Sequence, residues 1–202
     1  MKNENSLSDL LMEELADLLN AESQLIEALP NMIQASQSSA LRSALEEYLQ
    51  ITKEHIDRLG DIFSNIGQDP QEGTCKTIQE LIAESEDVVD KTEKSQARDS
   101  AIIWVAQRAE QYEIAEYKKA REHAADLNHT KIVELFTKVL NENRGMNFHL
   151  NELAQGMINV QASGGFHIPE GKFKRGGIKK KTKGVDVSRF IDEGNPNTQE
   201  GI

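Results

Sequence analysis

The sequence predicts an all-α protein, a four-helix bundle with a short extra helix and an irregular C-terminal tail. Apolar residues recur at steps of three and four along four long segments, which is the spacing of one helix face. No alternating strand pattern competes with them before residue 160. Charged residues make up 28% of the chain and aromatic residues only 5%, which suits amphipathic helices with large solvated faces.

We expect five helices before the tail. The first begins after Ser6, a good N-cap, and runs to about residue 35, with Pro30 bending it or breaking its hydrogen-bond ladder locally. The others are expected at about 40–66, 77–90, 97–127 and 131–160, and Gly67 ends the first of these. The helix at 77–90 is too short to span the bundle, so it should connect two of the four long helices.

The composition changes at about residue 162. We therefore divide the chain into a helical bundle, 1–161, and a basic C-terminal tail or oligomerisation arm, 162–202. The tail has eight Lys or Arg and five Asp or Glu, a charge of +3 in a chain whose total is −11. It is a solvated appendage, an arm on its own bundle or a neighbouring subunit, or an anion or nucleic-acid tether through Lys179, Lys180 and Lys181. The acidic bundle itself is a poor match for nucleic acid.

We expect a cytoplasmic protein. The first residues are polar and lack the apolar region of a signal peptide, and no stretch approaches the roughly 20 apolar residues that cross a bilayer. The single cysteine, Cys75, excludes an intramolecular disulfide and is interpreted as an inert thiol at a helix start.

Ionisable residues interrupt the apolar faces near the middle of the long helices. Glu113 lies in the centre of one such face, and Glu110 lies one turn before it. Glu22 interrupts a run of leucines in the first helix, and His55 lies mid-helix in the second. The last helix offers Glu142. Burying an unpaired charge costs several kcal/mol or more, so such groups are neutralised, paired or bound to metal.

Together these residues predict a metal site. Carboxylates and an imidazole at one height of facing helices are what a dinuclear site in a four-helix bundle requires, and such donors suit Fe or Mn. The predicted ligands are Glu22, His55, Glu110, Glu113 and Glu142. Two alternatives remain open: His55 is a hydrogen-bonded core histidine, or a buried glutamate pairs with Arg108 or Arg144.

Four stretches of the sequence resemble a known family. They are DLLNAESQLIEALPNM (17–32), KEHIDRL (53–59), RDSAIIWVAQRAEQYEIAEY (98–117) and NENRGMNFHLNELA (141–154). In them the chain resembles the YciF/YciE stress-protein family, a ferritin-like group, over about residues 6–160. The resemblance implies a ferritin-like fold, a homodimer of four-helix bundles and a dinuclear metal site.

The chain departs from the pattern of that family at the expected site. The family usually has a Glu-Glu pair one turn before the histidine of the second helix, where this chain has Gln50 and Ile51. Asn143 and Asn147 replace the second Glu and the Asp of the last helix, and Thr52 stands three residues before His55 where Glu-x-x-His is usual.

Two functions are therefore predicted. The first is a ferritin-like stress-response protein with a degenerate carboxylate and histidine site that binds Fe or Mn, with oxidoreductase activity on peroxide or dioxygen left open. The second is a non-enzymatic structural or interaction protein that acts through its oligomer and C-terminal arm. Without metal, one carboxylate should keep a proton, and Tyr48, Tyr112 and Tyr117 should complete a hydrogen-bonded polar layer.

Overall fold

The computed structural model describes residues 6–70 and 73–163, with side chains up to residue 156. Within these residues the chain forms five helices and no strand. They are α1 (Leu7–Ala35), α2 (Ser39–Ile66), α3 (Lys76–Lys91), α4 (Gln96–Asp126) and α5 (Thr130–Ser163). The all-α prediction is confirmed, and the basic cluster of the predicted tail lies outside the described residues.

The four long helices surround one core. α1 packs against α2 and α4, and α5 packs against the same two helices, so their order around the bundle is α1, α2, α5, α4. The short helix α3 lies outside this square, against α1 and α4, within the long connection that leads from α2 to α4. This is a four-helix bundle with one long crossover connection, and the short α3 is the predicted extra helix.

Local signals explain where the helices begin and end. Ser6 and Asp9 form a capping box at the start of α1, and Ser38 and Ser95 cap α2 and α4 with their side chains. Gly67 ends α2 in the left-handed conformation, with φ at 74°. α1 continues through Pro30, which removes one backbone donor without ending the helix.

A buried aspartate ties the α1–α2 turn to α4. The carboxylate of Asp99 accepts hydrogen bonds from the backbone N–H of Gln37 at 2.7 Å and of Ser38 at 2.8 Å. Because Asp99 lies in the first turn of α4 and the turn follows the end of α1, these two helices run antiparallel. The contact sets the height at which α4 meets the α1–α2 hairpin.

The core consists of two apolar clusters separated by a polar layer. One cluster contains Leu29, Leu41 and Ile102, and the other contains Leu15 and Phe136. Between them each long helix contributes polar side chains that are 0% exposed. These residues, which we call the polar layer, are Glu22, Thr52, His55, Glu110, Glu113 and Asn143.

None of the helices in the described part of the chain is long and apolar enough to span a membrane.

Candidate functional site

The polar layer brings together four of the five predicted ligands. Glu22 comes from α1, His55 from α2, and Glu110 and Glu113 from successive turns of α4. Each lies on the inward face because the apolar residues around it follow the helical repeat. The fifth, Glu142, lies at the edge, where its side chain is 26% exposed. That these five residues bind metal stays a prediction.

His55 is held between two carboxyl groups. Its Nδ1 lies 3.0 Å from Oε1 of Glu22, and its Nε2 lies 3.2 Å from Oε2 of Glu142. The hydroxyl of Tyr117 donates to the same Oε1 of Glu22 at 2.6 Å, and the rings of Tyr117 and His55 meet edge to face. Both ring nitrogens of His55 are therefore engaged, as in the hydrogen-bonded alternative.

The two glutamates of α4 differ in their partners. Oε2 of Glu113 accepts a hydrogen bond from the Tyr48 hydroxyl at 2.8 Å. Neither carboxyl oxygen of Glu110 has a hydrogen-bond donor, although the side chain is fully buried. A buried carboxylate without donors is costly, so Glu110 requires a proton, a bound water or a cation.

Unpartnered polar atoms concentrate in the polar layer. Among the described residues, eight buried side-chain atoms lack a hydrogen-bond partner, and seven of them belong to the polar layer. They are Glu22 Oε2, Thr52 Oγ1, both oxygens of Glu110, Glu113 Oε1, and both polar atoms of the Asn143 amide. Native proteins leave few such atoms, so their clustering at one height of the bundle calls for an explanation.

Burial shifts the proton equilibria of the polar layer. It raises the pKa of Glu22 to about 8, against the opposing effect of hydrogen bonds from Tyr117 and Glu113. Burial also raises the pKa of Glu110 and Glu113 well above the ordinary range, and repulsion between neighbouring carboxylates adds to it. The pKa of His55 is lowered, chiefly by burial. Carboxyl groups of the polar layer therefore keep protons near neutral pH.

These pKa shifts determine which atom donates in each hydrogen bond of His55. A neutral imidazole donates through one nitrogen and accepts through the other. With Glu22 protonated, its carboxyl donates to Nδ1 of His55, and Nε2–H donates to Glu142. Glu22 and Glu113 also form a hydrogen bond when one of the two carboxyl groups holds a proton. When both are ionised, Oε2 of Glu22 and Oε1 of Glu113 have no donor.

Arg58 lies at the edge of the polar layer, where it binds Glu142. Its Nη2 lies 3.0 Å from Oε1 of Glu142 and its Nη1 contacts Oε2, so the guanidinium binds both carboxylate oxygens. Nη2 also lies 3.1 Å from Oε2 of Glu54. The alternative that Arg108 or Arg144 pairs with a buried glutamate is wrong.

Those two arginines lie elsewhere. Arg108 pairs with Glu84 of α3, and Arg144 is exposed. Arg58 was missed in the sequence although a signal was present. It follows His55 by three residues, so both side chains lie on one face of α2.

Tyr48 and Tyr117 complete the polar layer as expected, but Tyr112 does not. The Tyr112 hydroxyl instead accepts a hydrogen bond from the Cys75 thiol at 3.2 Å, outside the layer. Cys75 is buried at the start of α3, where its backbone N–H donates to Oδ1 of Asn20 at 2.8 Å. This placement agrees with an unreactive thiol.

The residue types of the polar layer suit a metal ion, but the side chains are not placed to bind one in their present arrangement. Buried carboxylates and an imidazole suit a divalent Fe or Mn ion. Yet within the described part of the chain no three His, Cys, Asp or Glu side chains are already placed as a ligand set. An ion would therefore bind only after carboxyl groups lose protons and rotate away from their present partners.

Comparison with known proteins identifies similar sequences. The family described as "Domain of unknown function (DUF892)" matches residues 6–163. Protein YciF of Escherichia coli (strain K12) is 30% identical over 161 residues, which cover 79% of this chain and 97% of YciF. The predicted resemblance to the YciF/YciE stress-protein family is confirmed.

Solved structures share the fold. The crystal structure of the E. coli stress protein YciF matches 79% of this chain and 99% of its own, with a TM-score of 0.74 at 30% identity. YcfI of Rhodopseudomonas palustris, a candidate structural protein, matches 75% of this chain and 97% of its own, with a TM-score of 0.71 at 34% identity. A ferritin-like, diiron-carboxylate protein of Bacillus anthracis strain Ames matches 76% of this chain and 99% of its own, with a TM-score of 0.58 at 18% identity. At this identity the match shows the fold alone. The predicted ferritin-like bundle is confirmed.

Proposed function

We propose that this chain, which belongs to the family described as a domain of unknown function (DUF892), is a cytoplasmic ferritin-like stress-response protein. Its polar layer would bind divalent Fe or Mn. The stress association follows from the similarity to the E. coli stress protein YciF. The observation that carries metal binding is the Glu110 carboxyl, which is fully buried and has no hydrogen-bond donor on either oxygen.

The side chains around Glu110 favour a cation over a proton as the partner of its carboxyl group. Burial is the main cause that raises the pKa of Glu110, and repulsion from Glu113 and Glu22 raises it further. When both of these neighbours are ionised, each also has one oxygen without a donor. A divalent ion would satisfy all these oxygens at once and remove the repulsion, whereas protons satisfy them one at a time.

The side chains would have distinct roles around the ion. Glu22, Glu110 and Glu113 would hold it through carboxylate oxygens, and His55 through a ring nitrogen. Bound Fe or Mn would supply redox chemistry toward dioxygen or peroxide. Tyr48 and Tyr117 donate to carboxylates of the polar layer and so orient them, at 2.8 and 2.6 Å. The two apolar clusters exclude water from both sides.

Elemental analysis tests this function. Protein purified without chelator and loaded with Fe or Mn should retain metal after desalting, and the Glu110→Gln/Glu113→Gln double variant should lose most of it. Glu84→Gln, a change in the exposed pair with Arg108, is the matched control and should bind like the wild type. Retention below about 0.2 ions per chain in the wild-type protein would count against metal binding.

A structural role is the second candidate. Thr52 and Asn143 occupy positions of the polar layer where a full site has carboxylates, and Glu142 is paired with Arg58. In this case protons alone neutralise the polar layer, and the protein acts through its oligomer and C-terminal arm. The similar YcfI is itself a candidate structural protein. The same elemental analysis separates the two functions, since a structural protein retains no metal.

A further inference from the structure

We infer that Arg58 takes the place of a second metal ion, so that the polar layer accommodates a single divalent cation. The inference rests on the metal binding proposed above and specifies its stoichiometry. Its basis is the pairing of Arg58 with Glu142 at the α2–α5 edge of the polar layer.

The number of free ligands is the first argument. Dinuclear sites in ferritin-like bundles use a Glu from each of two helices and a Glu-x-x-His pair from each of the other two. In this chain four buried side chains could bind metal and are not paired with an arginine or a lysine. They are Glu22, Glu110, Glu113 and His55. Three carboxylates and one imidazole form a complete set for one ion and an incomplete set for two.

The composition of α5 is the second argument. Its fully buried position in the polar layer is Asn143, and Met146 follows three residues later where a Glu-x-x-His pair would have its histidine. Neither residue brings a charge, and Asn143 offers at most an amide oxygen. Among the α5 side chains that the structure describes, Glu142 is the acid at the edge of the polar layer, and Arg58 already binds both of its oxygens.

The position of Arg58 is the third argument. The residue is 9% exposed, and its guanidinium lies between Glu142 and the more exposed Glu54. Glu142 also accepts from Nε2 of His55, so one carboxylate joins the arginine to the ligand histidine. A second divalent ion beside this carboxylate would face a permanent positive charge in a medium that screens charges poorly.

The experiment is a titration of the full chain with Mn²⁺, with the bound ions counted by elemental analysis and examined by electron paramagnetic resonance. The wild-type protein should bind one ion per chain and show the spectrum of an isolated ion. Arg58→Leu frees Glu142 and should bind a second ion, which couples magnetically to the first. Arg58→Lys keeps the charge and should stay at one ion.

Arg108→Leu is the matched control. It breaks an exposed Arg–Glu pair between α4 and α3, away from the polar layer, and should also stay at one ion. If Arg58→Leu does not fold, as judged by circular dichroism, Arg58→Gln retains a hydrogen-bond donor for Glu142 without the charge and should likewise bind the second ion.

The outcomes separate this inference from the function on which it rests. Two ions in the wild-type protein, or one ion in both the folded Leu and Gln variants, would overturn the role of Arg58 while leaving metal binding in place. No bound ion in the wild-type protein would overturn the proposed function and this inference with it.

Discussion

Nδ1 of His55 and Oε1 of Glu22 lie 3.0 Å apart in the centre of the bundle, and one proton joins them. Burial raises the pKa of Glu22 to about 8 and lowers that of His55, so the proton belongs to the carboxyl group. The centre of the bundle is therefore neutral where the sequence shows acids and a base. Its properties should depend strongly on pH.

The stability of the metal-free protein should fall as the pH rises from about 6.5 to 8. The pKa of Glu22 is near the ordinary glutamate value of 4.5 in the unfolded chain and about 8 in the folded protein, so the folded state binds the extra proton. A raised folded pKa contributes stability at low pH that is lost as the pH passes the folded value. The lowered pKa of His55 has the opposite effect on stability, but mainly below the ordinary histidine value of 6.5.

Urea unfolding of chelator-treated protein at several pH values measures this dependence. The loss should reach about 1–3 kcal/mol, since each pKa unit corresponds to about 1.4 kcal/mol. In Glu22→Gln, whose side chain does not titrate, the slope should be smaller. A wild-type free energy of unfolding that stays level or rises over this window would contradict the prediction.

Metal binding should release protons. Because burial keeps carboxyl groups of the polar layer protonated near neutral pH, an ion must displace at least one proton to coordinate them. Isothermal titration calorimetry with Mn²⁺ in two buffers of different ionisation enthalpy measures the number released, and the affinity should rise between pH 6 and 8. Equal heats in both buffers would show that the ion binds groups that are already ionised.

Glu113→Gln should leave the metal-free protein within about 1 kcal/mol of the wild type, or stabilise it. The substitution replaces a carboxyl group whose ionisation burial opposes by a neutral group of similar shape, and the amide oxygen still accepts from Tyr48. Thermal unfolding in the presence of chelator provides the measurement. A loss of several kcal/mol would mean that an ionised Glu113 stabilises the fold.

Asp99→Ala should destabilise the protein by about 1–3 kcal/mol, because two backbone N–H groups of the α1–α2 turn lose their acceptor. Asp99→Asn retains one acceptor oxygen and should cost less. Asp87→Ala removes an exposed pair with Lys91 within α3 and should stay within about 0.5 kcal/mol of the wild type. If urea unfolding gives equal effects for Asp99→Ala and Asp87→Ala, the turn does not depend on Asp99.

The expected homodimer and the role of the C-terminal arm are tested together. Light scattering after size-exclusion chromatography should give a dimer for the full chain, and removal of residues 162–202 should change its mass or its stability. The removed segment combines basic residues with apolar ones, and the rest of the chain is acidic, so we expect the opposite charges to favour an association. Identical behaviour of both proteins would favour the solvated appendage.

Local patterns in the sequence predicted the helices and the polar layer well. Ser6 and Gly67 mark helix ends through contacts with their own neighbours, so each end could be located from a few adjacent residues. Glu22 and Glu113 were found because a single acid in an otherwise apolar repeat must point inward.

What the sequence did not reveal depends on partners far apart in the chain. Arg58 meets Glu142, and Asp99 meets Gln37 and Ser38, only after the bundle has formed. The sequence pattern predicts Glu142 as a ligand because it shares a face of α5 with Leu135, Val139 and Met146. The rotation of that helix, set by packing, instead places its neighbour Asn143 in the centre. The location of the proton likewise depends on burial in the folded bundle.

The polar layer also restricts how the four helices can align during folding. If α4 slid by one turn past its neighbours, Glu113 would leave Tyr48 and meet leucines of one apolar cluster. A misaligned bundle would thus bury a carboxyl group without a partner, at a cost that purely apolar helices would not impose. The group of acids at mid-height therefore distinguishes the native alignment from shifted ones, whether or not an ion is bound.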